Sequence, residues 1–433
     1  MFVISCAHTE KIITHLSKMK IGKFSFGIGD RFGHQGKAQL SALLKAKEAG
    51  IDIIPIWNKS NREHGIVGTS PEDVRQEADE SVSILKWTGE YYVDADHINL
   101  SNVDPYIEHS NFFTIDVADY ISEPADPNKK NLFLEHNNKY IGDLSIPGIS
   151  KTYRITEELL SEIADKYLFA TQKAAEIYQH IAHKKGEGKF IPEVSMDEVA
   201  EPQSPVELFF ILGALAKEKL PLQTIAPKFT GRFNKGVDYE GDLSQFEQEF
   251  EEDLLVIDFA IKEFGLPGNL KLSVHSGSDK FSIYPVIGRL IKKYDKGIHV
   301  KTAGTTWLEE IIGLAAAEGE ALSLAKKIYR TAFEKQEALC APYAAVIDIH
   351  PGELPSPDTV DAWNGVKYAD TLRHIPGHPD YNANFRQLIH VGYKVASDLG
   401  DEYYRNLEKY ADIIGQNVEE NIFDRHIKRL FNL

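Results

Sequence analysis

Several apolar runs in this chain carry polar side chains at alternate positions, crowded toward one end of each run. In "YYVDADH" Asp94 and Asp96 share one parity while Val93 and Ala95 take the other. In "FFTIDV" Thr114 and Asp116 oppose Phe113 and Ile115, and in "FIPEVSMD" Glu193, Ser195 and Asp197 oppose Val194 and Met196. Ala226 with Lys228, Ser273 with His275, and His299 with Lys301 repeat the pattern further on. Side chains alternate across a strand, so each polar set lies on one face. Any one of these residues alone has a bland reading. An Asp after a strand caps the next helix, a His at a strand end is hydrogen-bonded structure, and a Lys snorkels to water. Recurrence on run after run points to a shared site.

The charges in that site do not balance. Its carboxylates are Asp94, Asp96, Asp116, Glu193 and Asp197, with Asp30 as a further candidate, and its cations are Lys228 and Lys301. An unpaired buried carboxylate costs of order several kcal/mol or takes up a proton. Neutral His97, His275 and His299 are available as imidazole ligands. A divalent cation held by carboxylate and imidazole relieves the repulsion, and Zn, Mn, Ni, Co and Mg all remain candidates because no HExxH or DxDxDG signature chooses among them. The competing arrangement is a web of salt bridges with protonated carboxyls.

Two glycine-bearing turns, "HSGSDK" and "KTAGTT", stand between a strand and a helix start. Exposed N–H groups there bind carboxylate or phosphate, which makes Ser276, Ser278, Lys280 and Thr302 candidate substrate contacts. Plain capping by Ser278 or Thr305 would explain the same residues. "GIGDRFG" lacks the spacing of a dinucleotide fingerprint and a suitable acidic residue downstream, so no nicotinamide is expected.

The elements that must position these residues alternate regularly. Strands are predicted at 23–30, 51–57, 91–97, 112–117, 190–197, 224–229, 270–276 and 298–304. Helices are predicted at 36–49, 71–86, 102–108, 157–184, 204–218, 242–264, 282–293 and 306–317. Parallel strands with helices outside follow from that order, and eight such units close a (β/α)8 TIM barrel, whose catalytic mouth lies at the C-terminal strand ends. A doubly wound open sheet is the alternative. The catalytic domain is read as residues 1–320, with an insertion after the fourth strand at 118–150 acting as a lid. Residues 321–433 form a mainly helical C-terminal extension packed on the barrel.

Composition narrows the partners. The chain has 433 residues, 42% hydrophobic and 26% charged, with a net charge of −17 that opposes nucleic acid and anionic membrane. No run approaches a membrane span, and the N-terminus lacks the layout of a signal peptide. Cys6 and Cys340 are the only cysteines, too few for a disulfide framework. A cytoplasmic enzyme with a small-molecule partner is the simplest expectation, with homo-oligomer formation left open.

The segments "FGIGDRFG", "DADH", "FTID", "EVSMDE", "KGVDYEGDLSQFE", "HSGSDKFSIYP" and "HVKTAGT" together resemble the tagaturonate–fructuronate epimerase family of bacterial hexuronate catabolism. The resemblance covers roughly residues 20–320 and resumes at "FRQLIHVGY" (385–393), while the N-terminal region is shorter than the family's and 342–384 is private to this chain. It implies a metal-dependent, barrel-shaped isomerase that inverts one hydroxyl-bearing carbon of a keto-hexuronate. Retro-aldol cleavage and re-addition suits that reaction. The implied metal ligands are Asp96, His97, Glu193 and His275, with Asp116 or Glu193 as acid–base. Lys301 is implied as a catalytic cation, and Asp30, Thr114, Lys228, the "HSGSDK" turn, Arg386 and His390 as substrate contacts. A metal-dependent sugar-acid aldolase shares every one of these features. A barrel glycoside hydrolase and a non-enzymatic sugar-acid binder are the remaining alternatives.

Overall fold

The computed structural model, which describes residues 18–276, 279–301 and 305–433, has ten strands among them, eight of which fall where alternation placed them. They are β1 (Phe24–Gly29), β2 (Ile54–Ser60), β3 (Tyr92–Ile98), β4 (Phe112–Asp116), β5 (Gly142–Ser145), β6 (Thr152–Ile155), β7 (Ile191–Ser195), β8 (Thr224–Ala226), β9 (Lys271–His275) and β10 (Ile298–Lys301). All but β5 and β6 close a parallel barrel in the order β1-β10-β9-β8-β7-β4-β3-β2. This is the (β/α)8 architecture.

The two faces of each strand have different solvents. Outward residues such as Phe26, Trp57, Val93, Phe113, Val194, Leu272 and Val300 join the main apolar core beneath the helices. Inward, Ile21, Ile56, Tyr92, Phe112 and Ile191 form a separate apolar cluster that floors the barrel. Above that floor the register sets Asn58 beside Asp94, Thr114 beside Glu193, and Lys301 beside His275. The cylinder is therefore apolar at the N-terminal strand ends and charged toward the C-terminal ends, where this fold carries its chemistry.

Three elements differ from expectation. A helix at Asn61–Val67 follows β2, closed at its start by a Ser60–Glu63 capping box. The helix expected at 102–108 is a single 3-10 turn, Asp104–Tyr106. The insertion at 118–150 holds a helix, Pro127–Asn137, and its β5 pairs with β6 in an antiparallel hairpin. Tyr140 packs its ring on Phe209 at 5.3 Å, Lys139 pairs with Glu263 at 2.7 Å, and the Tyr153 hydroxyl donates to Glu252 at 3.0 Å. Glu263 stands in the last turn of helix Leu243–Phe264, so this part of the segment packs against the outer helices.

The segment beyond residue 320 is helical and wraps the barrel. Helix Ala411–Glu420 packs on helices Thr305–Ala316 and Gly36–Glu48, and Lys428–Phe431 packs on Tyr284–Lys293. The last contact is close enough that a Cβ on Gly288 would lie 2.0 Å from the Leu430 carbonyl oxygen. Trp307 Nε1 donates to the Ile389 carbonyl at 2.8 Å, and Arg425 pairs with Glu309 at 2.7 Å. Leu308, Ile311, Phe385, Ile414 and Val418 belong to one continuous apolar cluster. Among the described residues no helix is long and apolar enough to cross a membrane.

Candidate active site

Strict alternation would turn His97 away from Asp96. The β3–β4 register instead shifts between Ala95 and Ile98, and His97 adopts a left-handed φ of 54°. Such a bulge puts two successive side chains on one face, at a cost of about 1–2 kcal/mol for a non-glycine residue. His97 Nδ1 then lies 3.3 Å from Asp116 Oδ2, and Nε2 lies 3.8 Å from Asp96 Oδ1.

Lys301 is the hub of the layer below. Its ammonium lies 2.8 Å from Asp94 Oδ2, 2.8 Å from Asp96 Oδ1 and 3.6 Å from Glu193 Oε1, and it donates to Thr114 Oγ1 at 2.7 Å. Burial works against the charge, but the three carboxylates outweigh it and hold Lys301 above the usual lysine range. This lysine is a fixed cation and not a free base. Burial pushes Asp94 up to about 6 despite Lys301, helped by Asp96 and Glu193. Burial also penalises Asp96, but Lys301 foremost and then His97 leave it below its ordinary value.

His275 bridges two further acids. Its Nε2 is 2.9 Å from Glu193 Oε1 and its Nδ1 is 3.0 Å from Asp197 Oδ1, while Ser195 Oγ also donates to Asp197. The His97 and His275 rings meet edge to face at 5.2 Å. Burial raises Glu193 and Asp197, yet His275 more than cancels this, and both lie below the ordinary carboxylate range. The imidazoles move the opposite way. Burial lowers them, but Asp96 foremost brings His97 up to about 10, and Asp197 foremost raises His275. His299, deeper and beside Ser25 Oγ at 3.1 Å, is pushed down to about 3 by burial and stays neutral.

The residues fit a divalent ion. Donor atoms of His97, Asp197 and His275 lie within 4.8 Å of one another, and so do those of His97, Asp116 and Glu198. The second carboxylate oxygen of Glu193 is buried with no partner among the described residues. An imidazole and carboxylate set of this kind suits Zn, Ni, Co or Mn. Asp197 replaces Asp96 in the predicted grouping, because Asp96 faces the Lys301 ammonium. Asp197 had the right parity in the sequence. Glu198 joins the second grouping from beyond the end of β7, where strand alternation no longer applies.

Several expected substrate contacts are otherwise engaged. Asp30 accepts from the N–H groups of Phe32, Gly33, His34 and Gln35, so it builds the turn into helix Gly36–Glu48. Lys280 donates to the Asn234 and Val237 carbonyls at 2.9 and 2.6 Å. Arg386 donates to the Gly236 and Leu372 carbonyls and to Asp279. Ser276 Oγ donates to the Lys301 carbonyl at 2.8 Å and ties two strand ends together. Thr114 belongs to the Lys301 hub, and Ser278 and Thr302 lie outside the described residues. Half-buried Lys228 has no ammonium partner among the described residues, and buried His390 leaves both ring nitrogens unpartnered.

The family model for tagaturonate epimerase matches residues 5–430, spanning barrel, mouth and extension alike. The chain belongs to the tagaturonate epimerase family. As a member it is an enzyme of the isomerase class, a carbohydrate epimerase. It is 30% identical over 440 residues to the tagaturonate/fructuronate epimerase of Thermotoga maritima, covering 97% of this chain and 84% of that one. Native and two-glycerol crystal structures of the fructuronate-tagaturonate epimerase UxaE from Cohnella laeviribosi align with TM-scores of 0.77 and 0.78 at 24% identity. They cover 95% of this chain and 81% and 83% of theirs, and they share its fold. Within this family the polar mouth described above is the candidate catalytic centre.

Proposed function

We propose that this protein interconverts tagaturonate and fructuronate, holds a divalent metal at His97, Asp197 and His275 with Glu193 beside them, and works by retro-aldol cleavage and re-addition. The observation that carries the reading is the buried Glu193 carboxylate, gripped by His275 on one oxygen and left open on the other.

The inverted carbon lies β to the ketone. Removing its C–H proton would leave a carbanion with no carbonyl resonance. Loss of the hydroxyl proton on that carbon avoids the difficulty. The oxygen electron pair becomes an aldehyde carbonyl, the adjacent C–C bond breaks, and its pair delocalises into the former ketone as an enediolate. Rotation of the aldehyde, bond re-formation on its other face and return of the proton complete the inversion without a redox partner. A divalent ion in this set supplies Lewis acidity toward a bound carbonyl oxygen.

The chain's own residues divide the remaining work. Asp116, with 23% of its side chain exposed beside His97, is placed to take and return the hydroxyl proton. Lys301 gives a permanent positive charge next to Glu193, where electron density grows during cleavage. Glu193 and Asp197 flank the two ring nitrogens of His275, and with an ion held there one of these carboxylates would orient the ring from the nitrogen that does not face the ion.

The test is to incubate the protein and divalent ions with each keto-hexuronate and identify the products. An epimer of unchanged carbon number supports the reading; two smaller fragments would make the enzyme an aldolase. Glu193→Gln is expected to lose turnover by at least about 100-fold with its fold intact. Chelation is expected to silence the enzyme and divalent ions to restore it. Full activity after exhaustive chelation would remove the metal from the mechanism.

A further inference from the structure

His390 is buried at the mouth without a structural task for its ring. It sits on helix Ala383–Val391, is 1% exposed, and has neither nitrogen hydrogen-bonded among the described residues. Buried polar atoms are almost always satisfied, so an imidazole with two idle nitrogens implies a partner that comes and goes. The backbone beneath it is fully used. Arg31 Nη1 donates to the His390 carbonyl at 2.9 Å, and Arg31 also pairs with Glu63 at 2.8 Å. Helix and mouth are thereby fastened together.

The surroundings of the ring are cationic. Arg31, Lys235, Arg386 and Lys280 all act on it electrostatically, and burial first, then these charges, hold it well below the usual histidine range. A neutral imidazole still offers one N–H. Arg31 is matched by Glu63, Arg386 by Asp279, and Lys280 by two carbonyls. Lys235 is the exception. Its backbone N–H donates to the Val346 carbonyl at 2.8 Å, but its ammonium has no ion pair or hydrogen bond among the described residues. It adjoins Gly236, whose φ of 81° brings its backbone against the ring, so that a Cβ there would lie 3.4 Å from His390 Cβ.

We propose that His390 and Lys235 grip the carboxylate of the keto-hexuronate, a reading that rests on the function proposed above. A carboxylate only accepts hydrogen bonds, and among the groups around this ring His390 and Lys235 are the donors with no partner among the described residues. Asp94, Asp96, Asp116, Glu193 and Asp197, which pair with Lys301, His97 and His275 and not with these two groups, repel it. The substrate is thus aligned by charge, with its ketone toward the acids and its carboxylate toward the extension. A neutral ketohexose would leave the imidazole and the ammonium unpaired and be rejected for that reason.

The test compares the keto-hexuronate with the matching neutral ketohexose in Lys235→Met and His390→Leu, with thermal melts to confirm folding. Loss of a charge-assisted hydrogen bond predicts that the ratio of kcat/KM for the charged over the neutral sugar falls about 10–100-fold, through KM for the charged one. An equal loss on both sugars, or an unchanged ratio in a folded variant, overturns the proposal. Lys235 is half-buried on a loop, so its variant decides the matter if His390→Leu fails to fold. If the wild type epimerises neither sugar, the function fails separately and equilibrium binding of tagaturonate decides. Binding weakened about tenfold in Lys235→Met sustains the anchor. No binding by the wild type, or equal binding by both, removes it.

Discussion

Lys301 is one ammonium among three carboxylates, and that ratio makes it the most consequential side chain in the barrel. Lys301→Met would leave Asp94, Asp96 and Glu193 facing one another without their fixed cation. Breaking a buried pair from one side costs about 3–5 kcal/mol, so the variant is expected to unfold at clearly lower urea concentration as well as lose turnover. An unchanged midpoint would show that the acids find compensation elsewhere. Asp197→Asn isolates a different role. It removes a carboxylate from beside His275 and is expected to weaken divalent-ion affinity about 10–100-fold by titration calorimetry. Undiminished affinity would strike Asp197 from the ligand set. At this scale parity made Asp94, Asp96, Thr114, Glu193 and Lys301 legible, because a strand's period of two is rigid. It could not foresee the bulge at His97, which depends on the register of β4. Nor could it show that Asp30 and Lys280 are consumed by backbone groups, since those partners are set by loop geometry.

The loop after β9 is clamped by one acid. Asp279 lies 2.7 Å from Arg386, 2.8 Å from His426 and 3.5 Å from both His374 and Asn421. Burial would raise its carboxyl, but Arg386 foremost brings it well below the ordinary aspartate range. A depressed folded value contributes stability above the unfolded pKa of about 4 and loses it as pH falls through the folded value. Asp279→Asn is therefore expected to cost about 3–5 kcal/mol near neutrality, and the deficit should narrow below about pH 4. Denaturation at both pH values checks this, and a deficit independent of pH would place the cost outside the carboxylate. The barrel elements themselves were read within a few residues. The β5–β6 hairpin was not, because four-residue strands on the outer wall carry too little alternation to register.

Across the whole molecule, barrel and extension share one apolar core. Removing residues 321–433 would strip Trp307, Leu308 and Ile311 of their cover and leave Glu309 and Glu310 without Arg425 and Tyr403. A chain ending at residue 320 is expected to lack a cooperative thermal transition, read by near-ultraviolet circular dichroism. A sharp melt would show that the barrel stands alone. The count of βα units was enough to foresee a closed ring. The seat of the extension was not legible, because Asp279 and Arg386 meet from 107 positions apart and no local pattern encodes such a contact.

That long-range clasp has a consequence for how the protein is made. The strand that positions His275 leaves the ribosome well before Arg386, Asn421 and His426 are translated. A nascent chain can have every strand of the cylinder synthesised while the loop beside the catalytic end is still unfastened and the shared core incomplete. Competence for turnover thus arrives late in synthesis, and a stalled or truncated translation product would have all its strands but neither a settled cylinder nor a finished mouth.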